Sequence, residues 1–207
     1  MQRKSRLGVL GSFLTILSIT SVIWAQEKTL PQPKPVSLDS KSTSVLALDL
    51  SARCDDPKQI CSKLVPAVGE FLEKARASSV LIIHTASGAA KGTPLAAMAA
   101  ALKRRSDEPL LYPDAFDKFY GGELQEILKN KGIKNMIITG ASTNVAVLYT
   151  ATTAARIYRY EVVIPIDGVI AADQYEQQYS FHQFTVLPGD ASKQFHFTRL
   201  SMIEFKK

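Results

Sequence analysis

The chain has 207 residues, of which 46% are hydrophobic and 21% are charged, and its formal net charge is +6. This length is enough for one domain with a substantial hydrophobic core. The basic residues are spread along the sequence and form no stripe interleaved with aromatic residues, which argues against a nucleic-acid-binding protein.

Residues 1–25 have the features of a secretory signal peptide: a basic start, an apolar run over residues 7–24 and a small residue, Ala25, at the cleavage point. We therefore expect an exported protein, either periplasmic or secreted. Cleavage lowers the net charge from +6 to +3, because this segment carries three basic residues and no acidic one. The alternative is that the apolar run stays uncleaved as a membrane anchor, since about 20 residues span a bilayer.

The next segment, residues 26–43, is polar and rich in proline, which predicts an extended linker before a domain over residues 44–207. The chain has only two cysteines, Cys54 and Cys61, and their close spacing in an exported protein predicts a disulfide. The alternative is two free thiols. No histidine or further cysteine stands at metal-ligand spacing, so we expect no metal site.

From residue 44 onward, short apolar runs alternate with segments whose apolar residues recur at helical spacing. The predicted strands are 44–50, 79–85, 135–140, 161–167 and 197–205. The predicted helices are 63–77, 93–105, 121–132, 143–158 and 171–185. This alternation predicts an α/β fold, a three-layer α/β/α sandwich with a mostly parallel central sheet.

Ligands bind to open parallel sheets outside the carboxyl ends of the strands. Polar side chains that end the predicted strands are Asp49, His84 with Thr85, and Asp167, and a turn after Gly140 leads into a helix at the same edge. The backbone N–H groups at such a helix start can face a ligand. The sequence therefore places a candidate site at this edge of the sheet.

Five segments, in this order, resemble the isochorismatase-like superfamily, the cysteine hydrolases that include nicotinamidases and N-carbamoyl amidases. They are LALDL, LVPAVGEFLEKARASSVLIIHT, FYGGELQEIL, ITGASTNVAVLYTATTAA and EVVIPIDGV, and the resemblance covers residues 44–205. It implies the Rossmann-like α/β/α fold of that superfamily and a hydrolase activity.

In that family an Asp, a Lys and a Cys act together: the thiolate attacks an amide-like carbon, the Asp takes the thiol proton and the Lys balances the charge. Backbone N–H groups at the helix start receive the developing oxyanion. The resemblance assigns the aspartate to Asp49 but places Ala146 at the nucleophile position. Aligning Phe119 with the family's phenylalanine puts the lysine near Pro113, which implies that the lysine is lost too; Lys118 is a possible substitute cation.

The resemblance also indicates which residues line the pocket: His84, Phe119, Ala141, Ser142 and Thr143. Thr143 is in addition the expected N-cap of the helix that follows. Ser142 is a weaker alternative as nucleophile, because no neighbouring base is evident. We expect Asp167 to brace its own loop.

Two functions remain open on the sequence. The first is an exported hydrolase that uses Asp49 without a covalent cysteine. In the family branch that cleaves isochorismate a small residue stands at the cysteine position, because vinyl-ether hydrolysis requires proton donation and no nucleophile. The second is a catalytically inactive relative that binds a small molecule or a partner.

No cofactor is expected for either function, and contact with a membrane is expected only if the signal segment is retained. A homo-oligomer is possible, because family members often form dimers or tetramers.

Overall fold

The computed structural model of the protein describes residues 31–206. The strands are β1 (Val36–Asp39), β2 (Thr43–Leu48), β3 (Leu81–Thr85), β4 (Leu110–Leu111), β5 (Asn135–Ala141), β6 (Glu161–Pro165), β7 (Val169–Ile170), β8 (Phe195–Thr198) and β9 (Ile203–Lys206). The helices are α1 (Val65–Ala77), α2 (Glu123–Asn130), α3 (Leu148–Arg156) and α4 (Gln174–Val186). A π-helical turn, Thr143–Val147, leads directly into α3.

The main sheet has seven strands in the order β4-β3-β2-β5-β6-β8, with β7 paired to β5, and every one of these strand pairs is parallel. All six residues of β2, near the middle of the sheet, are buried. A strand covered on both faces requires such a continuous buried run, which is what the sequence predicted. The expected α/β fold with a mostly parallel central sheet is confirmed.

Helices cover both faces of this sheet and complete three layers. On one face, α1 packs Phe71 and Leu72 into an apolar cluster. On the other face, α2, α3 and α4 contribute Leu124, Ala151 and Phe184 to a second cluster. Most of the apolar area that stabilises the domain is therefore buried between the sheet and its helices.

The fold begins earlier in the chain than the sequence predicted. Residues 36–43, which were assigned to the linker, form β1 and a short turn capped by Asp39, and β1 pairs in parallel with β9. The backbone N–H of Lys34 donates to the carbonyl of Phe197 at 2.9 Å. Because β1 is only four residues long and follows a proline-rich segment, its strand character is not evident from its composition.

The predicted signal peptide over residues 1–25 lies outside the residues that the structure describes. Within residues 31–206, no helix is sufficiently long and apolar to cross a membrane.

The prediction of a helix over residues 93–105 is wrong, because this segment forms only two 3₁₀ turns. Its backbone groups bond to the loop that follows β2. The N–H of Ala99 donates to the carbonyl of Leu50 at 3.0 Å, and the N–H of Ala100 donates to Asp55 Oδ1 at 3.0 Å. Long-range partners replace the helical bonds that an alanine-rich segment favours by itself.

Two other elements differ from the prediction in their bounds. The helix expected over residues 121–132 is α2, and it begins only after Gly121 and Gly122, whose φ angles of 83° and 84° are not helical. The strand expected over residues 197–205 is divided into β8 and β9 by a 3₁₀ turn, Leu200–Met202.

Candidate functional site

Asp49 follows directly after β2 at the carboxyl edge of the sheet. Its φ is 57°, a left-handed conformation that aspartate adopts more readily than most residues. The backbone N–H of Asp49 donates to the carbonyl of Thr85 at 3.1 Å, and the Thr85 hydroxyl donates to Asp49 Oδ1 at 3.0 Å. The end of β3 thus fixes this carboxylate, whose side chain is still 26% exposed.

Lys118 supplies a cation to the same carboxylate. Its Nζ lies 2.8 Å from Asp49 Oδ2, and its side chain is only 2% exposed. A buried ammonium needs an anionic partner, because an unpaired charge in the interior is strongly destabilising. The structure thus brings Lys118, which the sequence named as a possible substitute cation, to Asp49 from a position five residues after Pro113.

Ala146 lies buried in the π-helical turn and belongs to the same apolar cluster as Leu48 and Phe119. Four residues further along, Thr150 Oγ1 accepts a hydrogen bond from the backbone N–H of Lys118 at 3.0 Å. Residues four apart share a face of a helix, so the methyl group of Ala146 lies on the side of the helix that meets the Lys118 segment. A methyl group can neither attack a substrate nor carry a proton.

The end of β5 passes close to β2 at Gly140. A Cβ at Gly140 would collide with the backbone of Leu48, and its φ is 128°, so glycine is required here. The peptide bond between Ala141 and Ser142 is cis. Ala141 packs half-buried against the apolar cluster on the α1 side of the sheet.

Thr143 is buried, and its hydroxyl donates to Gln177 Oε1 at 2.8 Å. The prediction that Thr143 caps the helix is therefore wrong: Ser142 occupies the cap position, and its side chain makes no capping hydrogen bond. The Thr143 bond instead ties the turn to α4.

His84 does not line the pocket, contrary to the prediction. Its side chain is fully buried, and its Nε2 lies 2.9 Å from Glu108 Oε2. Successive side chains of a strand point to opposite faces, so His84 and Thr85 lie on different sides of β3. Burial lowers the pKa of His84, and the neutral ring then donates its Nε2–H to the carboxylate.

Glu108 is the centre of a buried charged group on that side of the sheet. It accepts hydrogen bonds from Arg76 Nε at 2.7 Å, from Arg76 Nη2 at 3.0 Å and from the Arg105 backbone N–H at 3.1 Å. Burial by itself raises the pKa of Glu108, but the bonds from Arg76, Arg105 and His84 outweigh it and lower the pKa to about 2. These bonds join α1 and β3 to the segment before β4.

A cavity of about 210 Å³ adjoins Lys118. Its lining includes two acids and two tyrosines: the complete set is Leu111, Tyr112, Pro113, Asp114, Lys118, Tyr120, Gly121, Glu123 and Leu124. The five residues that the sequence assigned to the pocket are not part of this lining. Phe119 is instead buried, with its ring stacked on Tyr158 at a centroid distance of 4.7 Å.

The predicted disulfide between Cys54 and Cys61 is present and closes the loop that follows Asp49. Both cysteines are buried in the apolar cluster that contains α1. Cys54 Sγ lies 3.9 Å from the backbone carbonyl of Asp49, so the crosslink supports the segment that carries the carboxylate.

Asp167 accepts a hydrogen bond from the Leu200 N–H at 2.9 Å and therefore braces the turn after β8 rather than its own loop. Within residues 31–206, no group of three or more His, Cys, Asp or Glu side chains is arranged to hold a metal ion.

The sequence interpretation missed Thr150 and Glu108. The position of Thr150, four residues after Ala146, is a signal that was available, because it predicts a shared helix face. Glu108 stands in the charged run KRRSDE, and such a run is more typical of a solvated surface than of a buried pair.

Solved structures with a similar fold include three hydrolases. A cysteine hydrolase from Pseudomonas syringae is 18% identical, with a TM-score of 0.68 over 84% of this chain and 95% of that chain. N-carbamoylsarcosine amidase from Thermoplasma acidophilum is 17% identical, with a TM-score of 0.64 over 77% and 96%. A nicotinamidase from Staphylococcus aureus is 16% identical, with a TM-score of 0.63 over 77% and 99%.

No curated protein sequence matches the chain. The sequence profile of the isochorismatase domain, however, matches residues 53–191, which is more than half of the chain. Together with the parallel sheet and the acid at the end of its central strand, this match shows that the chain belongs to the isochorismatase family.

Proposed function

We propose that this protein is an exported hydrolase of the isochorismatase family that works through proton transfer at Asp49 and forms no covalent intermediate at residue 146. One observation carries the proposal: Asp49 and Lys118 form a 2.8 Å ion pair at the carboxyl edge of the sheet. This pair corresponds to the acid and the cation of the family's chemistry. The resemblance assigns the nucleophile position to Ala146, in the turn that leads into the neighbouring helix.

Each member of the pair has a separate role in this proposal. Asp49 is the group that a ligand reaches, because its side chain is 26% exposed, whereas that of Lys118 is 2% exposed. The carboxylate exchanges a proton with the substrate or with a water molecule that attacks it. The buried ammonium of Lys118 balances the charge, in a region where electrostatic interactions are stronger than in bulk water.

The lining of the adjacent cavity bears on the charge of the substrate. Asp114 and Glu123 add negative charge, while the positive charge of Lys118 is already matched by Asp49. A dicarboxylate such as isochorismate would meet like charges there, which lowers affinity. We therefore propose a substrate that is neutral or cationic at the end that enters the cavity.

Export is supported by two features of the chain. Residues 1–25 have the composition of a signal peptide, and the disulfide between Cys54 and Cys61 is typical of proteins in oxidising compartments. N-terminal sequencing of the protein from the periplasm or medium should begin at Gln26. A chain that begins at Met1 in the membrane fraction would instead support an uncleaved anchor.

The activity is tested with the exported, disulfide-intact protein on a panel of amides, esters and vinyl ethers in neutral, cationic and anionic forms. Nicotinamide and N-carbamoylsarcosine, named by the two structural relatives, should not be hydrolysed, because no thioester can form at Ala146. At least one neutral or cationic non-amide substrate should be hydrolysed. Mass spectrometry of the quenched enzyme should detect no covalent adduct.

The variant Asp49→Asn should lower kcat by about 10²- to 10⁴-fold, the usual contribution of an acid–base group. The matched control is Asp190→Asn, since Asp190 and Lys193 form an exposed 2.7 Å ion pair elsewhere on the surface. Hydrolysis that survives Asp49→Asn, or an adduct on the enzyme, would overturn the proposal.

A second candidate function is ligand binding without turnover. It is favoured by the fact that both Asp49 oxygens already accept a contact, from Thr85 and from Lys118. Calorimetry distinguishes the two functions: a panel member that binds the wild type, loses affinity in Asp49→Asn and is never hydrolysed identifies a binding protein.

A further inference from the structure

We infer that two threonines of α3 are positioning residues that hold the Lys118 segment, so that a lysine at position 118 can pair with Asp49. This inference rests on the proposed role of the Asp49–Lys118 pair. The two residues are Thr150 and Thr153, and the structure shows each of them bonded to the segment that carries Lys118.

The first contact fixes the backbone of Lys118 itself. Thr150 is fully buried, and its Oγ1 accepts the hydrogen bond from the Lys118 N–H at 3.0 Å. A buried N–H without an acceptor is costly, so this pairing favours one position of the Lys118 backbone relative to the helix.

The second contact fixes Asp117, the residue before Lys118. The Thr153 hydroxyl donates to Asp117 Oδ2 at 2.6 Å, and Asp117 Oδ1 accepts from the backbone N–H of Phe119 at 3.0 Å. One carboxylate thus links α3 to the turn on the far side of Lys118. The lysine lies between two anchored neighbours.

The two threonines are three residues apart and therefore lie on one face of α3, and Ala146 precedes Thr150 by about one turn. The helix that carries the nucleophile in the family's chemistry here carries the anchors of the cation. This arrangement explains how Lys118 reaches Asp49 although it stands five positions from the place where the family resemblance expects a lysine.

A lysine side chain has four rotatable bonds, so holding it in an ion pair costs conformational entropy, and a displaced backbone would add to that cost. Loss of the anchors should therefore release the ammonium from Asp49, even in a protein that stays folded. A purely structural role for the threonines would lower stability without changing the environment of the Lys118 amine.

The test measures the reactivity of the Lys118 amine with limiting acetic anhydride, followed by peptide mass spectrometry. Labelling is referred to Lys129, an exposed lysine of α2. The variants are Thr150→Val, Thr153→Val and the double variant. Thr150→Ser retains the hydroxyl, and Thr152→Val is the matched control, since within the described residues Thr152 forms no hydrogen bond to residues 116–119.

Lys118 labelling relative to Lys129 should rise about tenfold or more in the double variant and less in each single variant. It should stay at the wild-type level in Thr150→Ser and Thr152→Val. Where turnover is measurable, the double variant should lower kcat by about 10- to 100-fold with little change in KM, as expected for a misplaced catalytic group.

Unchanged labelling in folded Thr150→Val and Thr153→Val proteins would overturn the inference. If labelling rises while hydrolysis is unaffected, the anchoring stands and the proposed role of Lys118 in hydrolysis fails. The labelling readout needs no substrate, so the two failures are distinguishable.

Discussion

The Glu108 group and the Asp49 group each pair a carboxylate with a cation, but their surroundings differ. Glu108 accepts hydrogen bonds from Arg76, His84 and the backbone of Arg105, and its side chain is 8% exposed. Within residues 31–206, Asp49 has one contact at each carboxylate oxygen, from Thr85 and from Lys118, and its side chain is 26% exposed.

This difference separates a carboxylate that maintains the fold from one that can act on a ligand. Every additional donor to Glu108 stabilises the ionised form and leaves less of the oxygens free for anything else. The exposed part of Asp49 can still meet a substrate or a water molecule. Both groups are charged and partly buried, so burial alone does not identify the functional one.

The largest expected effect on stability comes from disrupting the Glu108 group. Glu108→Gln should lower the free energy of unfolding by about 3–5 kcal/mol, because it leaves the Arg76 guanidinium buried without its main anionic partner. Urea unfolding measures this change. The control is Glu73→Gln, since Glu73 also contacts Arg76, at 3.1 Å, but is 44% exposed, and its loss should cost at most about 1 kcal/mol. Equal effects of the two substitutions would contradict the comparison.

The Glu108 group should also make the free energy of unfolding depend on pH. The pKa of Glu108 is about 2 in the folded protein against an ordinary value of 4.5. Its stabilisation is therefore complete above pH 4.5 and is lost as the pH falls toward 2, by about 3 kcal/mol at roughly 1.4 kcal/mol per pH unit.

His84 also makes the protein less stable as the pH falls, and its effect begins at a higher pH than that of Glu108. Burial lowers its pKa from 6.5, so below pH 6.5 the unfolded chain binds a proton that the folded protein excludes. Urea unfolding at pH 7, 5 and 3 should show a continuous decrease in stability. In Glu108→Gln, the decrease below pH 4.5 should be smaller than in the wild type, and an undiminished decrease there would assign it to other groups.

A smaller effect on stability is expected from removing the disulfide that supports the Asp49 group. The double variant Cys54→Ser with Cys61→Ser should lower the free energy of unfolding by about 2–3 kcal/mol, the value for a short crosslinked loop. Hydrogen exchange should accelerate more in residues 50–62 than around Glu108, where the increase should not exceed the global loss of stability. Uniform acceleration across the domain would show that the two regions are not separate.

The smallest effect on stability, about 1 kcal/mol, is expected for Ala146→Cys, which adds one sulfur atom in a buried position. Because Lys118 already pairs with Asp49, this single substitution should produce measurable hydrolysis of nicotinamide or N-carbamoylsarcosine. Adding Pro113→Lys should bring no further gain, since the position of the cation is already occupied. If only the double variant is active, Lys118 cannot replace the family's lysine.

The longer strands β2, β3, β5 and β6 were predictable because they are continuous apolar runs of the right length, and Asp49 was predictable because it follows one of them. The two-residue strands β4 and β7 were not predicted, because they are too short to show such a run. Local composition did not predict the structure of segments whose conformation depends on partners that are distant in the sequence. The alanine-rich segment over residues 93–105 bonds to the loop after β2, and β1 becomes a strand only because β9 pairs with it. Neither partner is visible in the local sequence.

The cation of the site could not be placed from spacing alone. Sequence alignment assigns a role to a position, but a lysine side chain is long enough to bring its ammonium to Asp49 from position 118. What decides this is the bonding of residues 117 and 118 to α3, which is a property of the folded chain. The sequence wrongly assigned His84 to the pocket for a related reason. Its partner Glu108 lies in a different segment, so their pairing is not evident from the sequence around His84.

The parallel pair of β1 and β9 also constrains the order in which the domain can form. Residues near the two ends of the described chain, Val36 and Ile203, are direct partners in this pair. Contacts between such distant residues carry a large loop-closure cost and form late. The pair cannot close before the last strand has been synthesised, so a nascent chain remains without this contact while most of it has already left the ribosome. A chain truncated before β9 should lose the ordering of β1 as well, although the two segments lie at opposite ends of the described residues.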